Sequence, residues 1–127
     1  MQDNHLFEYA VIRVVPRVER EEFFNVGVIL YCAAEKFLQV SFQVDEKRLR
    51  AFCQKLDIGE LKDYLNAIEK ICNATEDSGP IGKFPLAERF RWLTATRSTI
   101  VQTSKVHPGL CTDAKEMLEH LYTQLVL

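Results

Sequence analysis

The chain has 127 residues, 47% of them hydrophobic and 27% charged, with a formal net charge of −2. This length suits one domain over residues 1–127 that can bury a core without disulfide or metal support. The composition excludes a disordered chain, and the near balance of charge excludes the broad basic excess of a general nucleic-acid binder.

Residues 6–15 (LFEYAVIRVV) are rich in β-branched and aromatic types and stop at Pro16, which has no N–H for a ladder. Phe7, Tyr9, Val11 and Val15 share one face, and Ala10, Ile12 and Val14 the other, so the sequence predicts an inner strand. Residues 26–33 (VGVILYCA) read the same way, with Gly27 marking a bulge or a close backbone approach. The polar stretch between them predicts a connection or one helical turn. In residues 37–44, Leu38, Val40, Phe42 and Val44 alternate with polar positions, and the short Ala34-Glu35-Lys36 link makes a hairpin with the preceding strand.

After Val44 the period changes. Asp45 suits the N-cap of a helix whose apolar residues Leu49, Phe52, Cys53 and Leu56 step by three and four. A second helix after Gly59 has the clearest stripe: Leu61, Tyr64, Leu65, Ile68, Ile71 and Cys72. ATEDSGPIGKF reads as a loop. Pro85 suits the first turn of a third helix with Leu86, Phe90 and Leu93 on one side, Ile100–Thr103 suits a short strand, and His107-Pro108-Gly109 a tight turn. A last helix begins at Thr112 or Asp113 and buries Leu118, Leu121, Tyr122 and Leu125. Strands early and helices late predict an α+β fold: an antiparallel sheet of three to four strands with about four helices packed on it.

The opening residues lack a basic leader, and no apolar run approaches the roughly twenty residues that span a bilayer. A cytoplasmic protein without membrane contact is expected. Cys32, Cys53, Cys72 and Cys111 are widely spaced, and His5, His107 and His120 do not complement them, so reduced thiols and neither metal nor cofactor are expected. Asn73-Ala74-Thr75 matches a glycosylation acceptor, which has no meaning inside the cell.

The most distinctive stretch is Glu88–Gly109, ERFRWLTATRSTIVQTSKVHPG. Arg89, Arg91, Arg97 and Lys105 stand against Glu88 alone, a local charge of +3, among six hydroxyl side chains. Guanidinium forks and hydroxyls suit carboxylate or phosphate oxygens, which makes Arg89, Arg91, Arg97, Ser98, Thr103 and His107 the candidate binding residues. The competing reading is structural: Arg97 near a helix end would cap carbonyls, and Arg89 would pair within the fold. Trp92 is either packed under the sheet or an exposed contact residue beside the arginines. Lys47, Arg48 and Arg50 read as the solvated face of the first helix. A Cys111–His107 catalytic pair is disfavoured, because a Pro-Gly turn separates the two and no nucleophile elbow surrounds either. There is also no phosphate-binding loop, dinucleotide fingerprint or HExxH.

Two blocks, YAVIRVVPRVEREEFFNVGVILYC and ERFRWLTATRSTIVQTSKVHPGLC, together resemble the bacterial proteins of domain of unknown function 3037. The resemblance runs from Tyr9 to the final helix, and Lys105 departs from it where a proline is expected. It implies no established activity. It does imply genomic companionship with HipA-like kinases, and so a protein partner. The leading expectation is a non-enzymatic interaction module, antitoxin-like or accessory to such a kinase, with a homodimer also open. The alternatives are a small hydrolase or phosphate-handling enzyme using His107, Arg89 and Arg97, and a weak, salt-sensitive nucleic-acid binder.

Overall fold

A computed structural model describes residues 4–95, 97 and 99–127. Five strands and four α-helices lie among them: β1 (His5–Val14), β2 (Phe24–Cys32), β3 (Phe37–Phe42), α1 (Glu46–Phe52), α2 (Ile58–Asn73), α3 (Leu86–Leu93), β4 (Val101–Thr103), β5 (His107–Cys111) and α4 (Ala114–Leu125). The fold is α+β, and every strand pairing is antiparallel. The strand order is β3-β2-β1-β4, with β5 also on β1. β4 pairs with Ile12–Val14 and β5 with His5–Tyr9, so the two follow one another along a single edge of β1.

The expected count of three to four strands is therefore too low. The missing strand is β5, whose Pro108-Gly109 suggests a turn but forms part of an outer strand opposite Glu8 and Phe7. An edge position tolerates proline because only one side of the strand is paired. Gly109 is required there, since a Cβ would lie 2.5 Å from the Phe7 ring. Between β4 and β5, Ser104 keeps the ladder closed. Its N–H donates to the Val11 carbonyl and its Oγ accepts from the Val11 N–H, both at 2.8 Å.

The sheet is covered on both faces. On one, Ala10, Ile12, Val14, Val26 and Ile29 pack with Leu49, Leu61, Leu65, Phe90 and Leu93 of α1, α2 and α3. On the other, Phe7, Val28, Leu30 and Cys32 pack with Ala114, Leu118 and Val126 from α4 and its end. Each large side chain so buried contributes about 1.5–3 kcal/mol before entropy is counted. The expected alternation of β1 and β3 holds. Gly27 meets both expectations: the β1–β2 register slips beside it, and a Cβ would lie 2.7 Å from the Ser41 carbonyl oxygen. Asp45, Asp57 and Asp113 cap α1, α2 and α4, each accepting backbone N–H groups of the first turn. α1 stops at Phe52, earlier than its apolar period suggests, because Cys53 is extended and a turn carries Leu56 into the core.

Two polar ties hold helices in place. The first is Arg89, 6% exposed, on the first turns of α3. Its Nε donates to the Phe84 carbonyl at 2.9 Å, and one terminal nitrogen donates to Ile71 and Cys72 carbonyls at 2.8 and 3.0 Å. Those carbonyls end α2, where the helix dipole favours a cation. The second is Glu35, in the β2–β3 turn. Both its oxygens accept from the Ala114 N–H at the start of α4, at 3.2 and 3.0 Å, and His5 Nδ1 lies 3.0 Å from Oε2.

Arg89→Met leaves three acceptors without their donor and should lower unfolding free energy by about 2–4 kcal/mol in denaturant titration. Arg89→Lys should recover only part of this, because one ammonium cannot reproduce the fork; full recovery by lysine would contradict the account. The hydrogen bond with His5, helped by the Ala114 N–H and opposed by burial, holds the Glu35 carboxyl below its ordinary range. A depressed folded value stabilises the protein above the unfolded-state pKa, and that contribution is lost as pH falls through the folded value. Glu35→Gln should therefore cost about 1 kcal/mol at neutral pH and flatten the decline in stability below about pH 5. An unchanged acid limb would count against the tie.

Candidate functional site

Among the described residues, the late basic and hydroxyl segment does not form one site. Arg89 lies inside, with its guanidinium committed to the α2 carbonyls. Arg91 is exposed on α3. Arg97 follows α3 and donates to the Trp92 and Leu93 carbonyls, which is the helix-capping role. The hydroxyls are turned largely to backbone: Thr94 donates to Phe90, Thr99 to Val101, Thr103 to Thr94 and Ser104 to Lys105. Ser98 lies outside the described residues.

His107 lies on the far side of the sheet from the arginines. Its register partner is Tyr9, and their rings pack with centroids 5.3 Å apart. Tyr9 belongs to the face covered by α4, whereas Phe90 and Leu93 of α3 belong to the opposite face. The expected convergence of His107 with Arg89 and Arg97 is thus not found: a β-sheet stands between them. Cys111 is buried, and burial, with Cys32 and Glu35 nearby, pushes its thiol up to about 11. Burial likewise pushes Cys72 up to about 12. Neither is an activated nucleophile.

What the segment does build is a groove. Tyr64 and Ile68 of α2, Trp92 of α3, and Arg97 and Thr103 beyond it line a largely apolar hollow of about 230 Å³. It exists because the α2 stripe is wider than its cover: Leu61 and Leu65 reach the core, while Tyr64 remains 40% exposed. Trp92 is 41% exposed, and the Arg97 guanidinium sits 4.3 Å above its ring centroid. That stacking orients the cation and keeps an aromatic surface at the rim. Two of Arg97's five N–H donors are engaged among the described residues. A larger hollow of about 420 Å³ beside Pro16, Arg17 and Phe52 is broad and polar, with Arg20 already paired to Glu22 at 2.6 Å.

A second cluster lies on the α4 face, and its members are far apart in the sequence except for Cys32 and Glu35. His5, Cys32 and Glu35 place one ligand-type atom each within 4.8 Å of one another. Cys32 Sγ and Cys111 Sγ lie 3.7 and 4.0 Å from Glu35 Oε2. The histidine and cysteines do complement one another, contrary to expectation, because strand register joins positions far apart in the chain: His5 is the partner of Cys111, and Cys32 ends β2 three residues before Glu35. The single readable hint was Cys32-x-x-Glu35 spanning a predicted hairpin turn.

No helix among the described residues is long and apolar enough to cross a membrane. A family model described as protein of unknown function (DUF3037) matches residues 9–126, a span that holds the groove together with Cys32, Glu35 and Cys111 and begins after His5. No curated protein and no solved structure matches the chain. With nearly its whole length and both of its distinctive blocks inside that match, the chain belongs to the DUF3037 family.

Proposed function

We propose that this protein is a non-enzymatic interaction module that grips a partner protein through the groove between α2, α3 and β4. The observation that carries this reading is the half-exposed Trp92 with Arg97 stacked on it at the mouth of an apolar hollow. Tryptophan and arginine dominate binding hot spots, since each offers a large contact area and a directed polar group. Tyr64 and Ile68 supply the apolar floor, and Arg97 gives the rim positive charge. The occupant these features fit is a segment carrying an apolar anchor beside a carboxylate. The partner suggested by the family resemblance is a HipA-like kinase, for which the protein would be an antitoxin-like or accessory subunit. An enzyme using His107 with the arginines is disfavoured by the sheet that separates them.

Trp92 is the chain's single tryptophan, so its fluorescence reports on the groove directly. Adding a purified HipA-like kinase should shift the emission to the blue and saturate at one equivalent. Trp92→Ala should weaken the complex about 30-fold or more, and Arg97→Ala about tenfold with a reduced salt dependence. Both variants should keep the parent's circular dichroism. Association that leaves Trp92 emission unchanged, or affinity indifferent to both substitutions, would place the contact elsewhere.

A further inference from the structure

The ends of β1, β2 and β5 meet the start of α4 at one point, and four side chains with metal-binding atoms converge there. His5 opens β1, Cys32 closes β2, Cys111 closes β5 and Glu35 reaches over from the β2–β3 turn. Glu35 Oε2 is the centre of the group: His5 Nδ1 is 3.0 Å away, Cys32 Sγ 3.7 Å and Cys111 Sγ 4.0 Å. In a tetrahedral zinc site, with bonds of about 2.0 Å to nitrogen or oxygen and 2.3 Å to sulfur, neighbouring ligand atoms stand roughly 3.3–3.8 Å apart. The spacings to Glu35 Oε2 bracket that range, and the His5, Cys32 and Glu35 atoms lie within 4.8 Å of one another, so side-chain movements of about 1 Å, with Cys111 Sγ drawn in from its place beside Glu35, would complete the shell. We propose that His5 Nδ1, Cys32 Sγ, Glu35 Oε2 and Cys111 Sγ bind one zinc ion.

Ligand type selects the metal. Two thiolates with an imidazole and one carboxylate oxygen suit zinc, whereas the hard ions magnesium and calcium demand oxygen-rich shells. His5 binds as the Nε2–H tautomer through its Nδ1 lone pair, and the two thiols each lose a proton to solvent as their sulfur–metal bonds form. The second Glu35 oxygen stays on the Ala114 N–H and orients the carboxylate, as hydrogen-bonded carboxylates in metal sites generally are. All four positions come from this chain, so the site is closed. Its role is structural: it ties three strand ends to α4. This inference concerns the face opposite the groove and is independent of the interaction reading.

The test is titration of the reduced, chelator-stripped full chain with cobalt(II), followed by zinc. One equivalent of cobalt should produce a near-ultraviolet thiolate charge-transfer band and the intense visible bands of tetrahedral cobalt, and zinc should abolish both. Zinc should also raise the melting temperature. Cys32→Ser should lose the charge-transfer intensity and bind about 100-fold more weakly, while Cys53→Ser, outside the cluster, should match the parent. His5→Ala and Glu35→Gln, at partly exposed positions, give a reading even if Cys32→Ser does not fold; each should weaken binding at least about tenfold with unchanged circular dichroism. The proposal is overturned by a pale octahedral spectrum, by no saturable uptake at micromolar cobalt, or by binding that survives these substitutions.

Discussion

Both faces of β1 are buried and both of its edges are hydrogen-bonded, and this double constraint organises the molecule. Ala10, Ile12 and Val14 cannot face water without exposing the centre of one core, nor can Phe7 without exposing the other. Layers of helix must therefore close over both sides. The side toward α1–α3 receives the larger share of apolar residues, and α4 alone covers the rest. The outer edge needs two short strands to finish, with Ser104 supplying through its hydroxyl the acceptor that a continuous strand would supply through its backbone. Groups on the two sides are kept apart by the thickness of the sheet.

That separation decides how the polar residues are used. Arginines suited to an acidic ligand divide by depth. Arg89, turned inward, ends α2 and fixes its angle to α3; Arg97, one helix length later, caps α3 but still presents its cationic plane on Trp92. The structural reading of this segment is realised in Arg89 and in the capping by Arg97, and the recognition surface proposed above draws on Arg97 and Trp92. The groove lies between α2, the end of α3 and β4. On the other face, Glu35 joins a hairpin turn, a strand end and a helix start through one carboxylate.

Much of this was legible in the chain. The alternation in β1 and β3 and the three-four stepping of α2 fixed their inward faces, because period reports directly on which side meets the core. The Asp45 and Asp113 caps were readable for the same local reason, whereas α2 starts at Ile58 under an Asp57 cap, one residue before the Gly59 after which the sequence suggested it begins. β5 was not: Pro108-Gly109 carries strong turn chemistry, and only the edge position and the Phe7 ring lying over Gly109 make a strand of it. The inward turn of Arg89 depends on where the last turn of α2 falls relative to α3, a tertiary relation that no window of sequence contains. The joining of His5, Cys32 and Cys111 depends on two strand registers, and a slip of one residue would point the same side chains to the opposite face.

The central claim is that β1 and its sheet insulate the groove from the carboxylate cluster, and a double-mutant cycle on unfolding free energy measures this directly. Trp92→Ala and Glu35→Ala, made singly and together, should add to within about 0.5 kcal/mol, as sites without shared partners do. A coupling energy above about 1 kcal/mol would mean that the two faces share a network and that the sheet does not divide them.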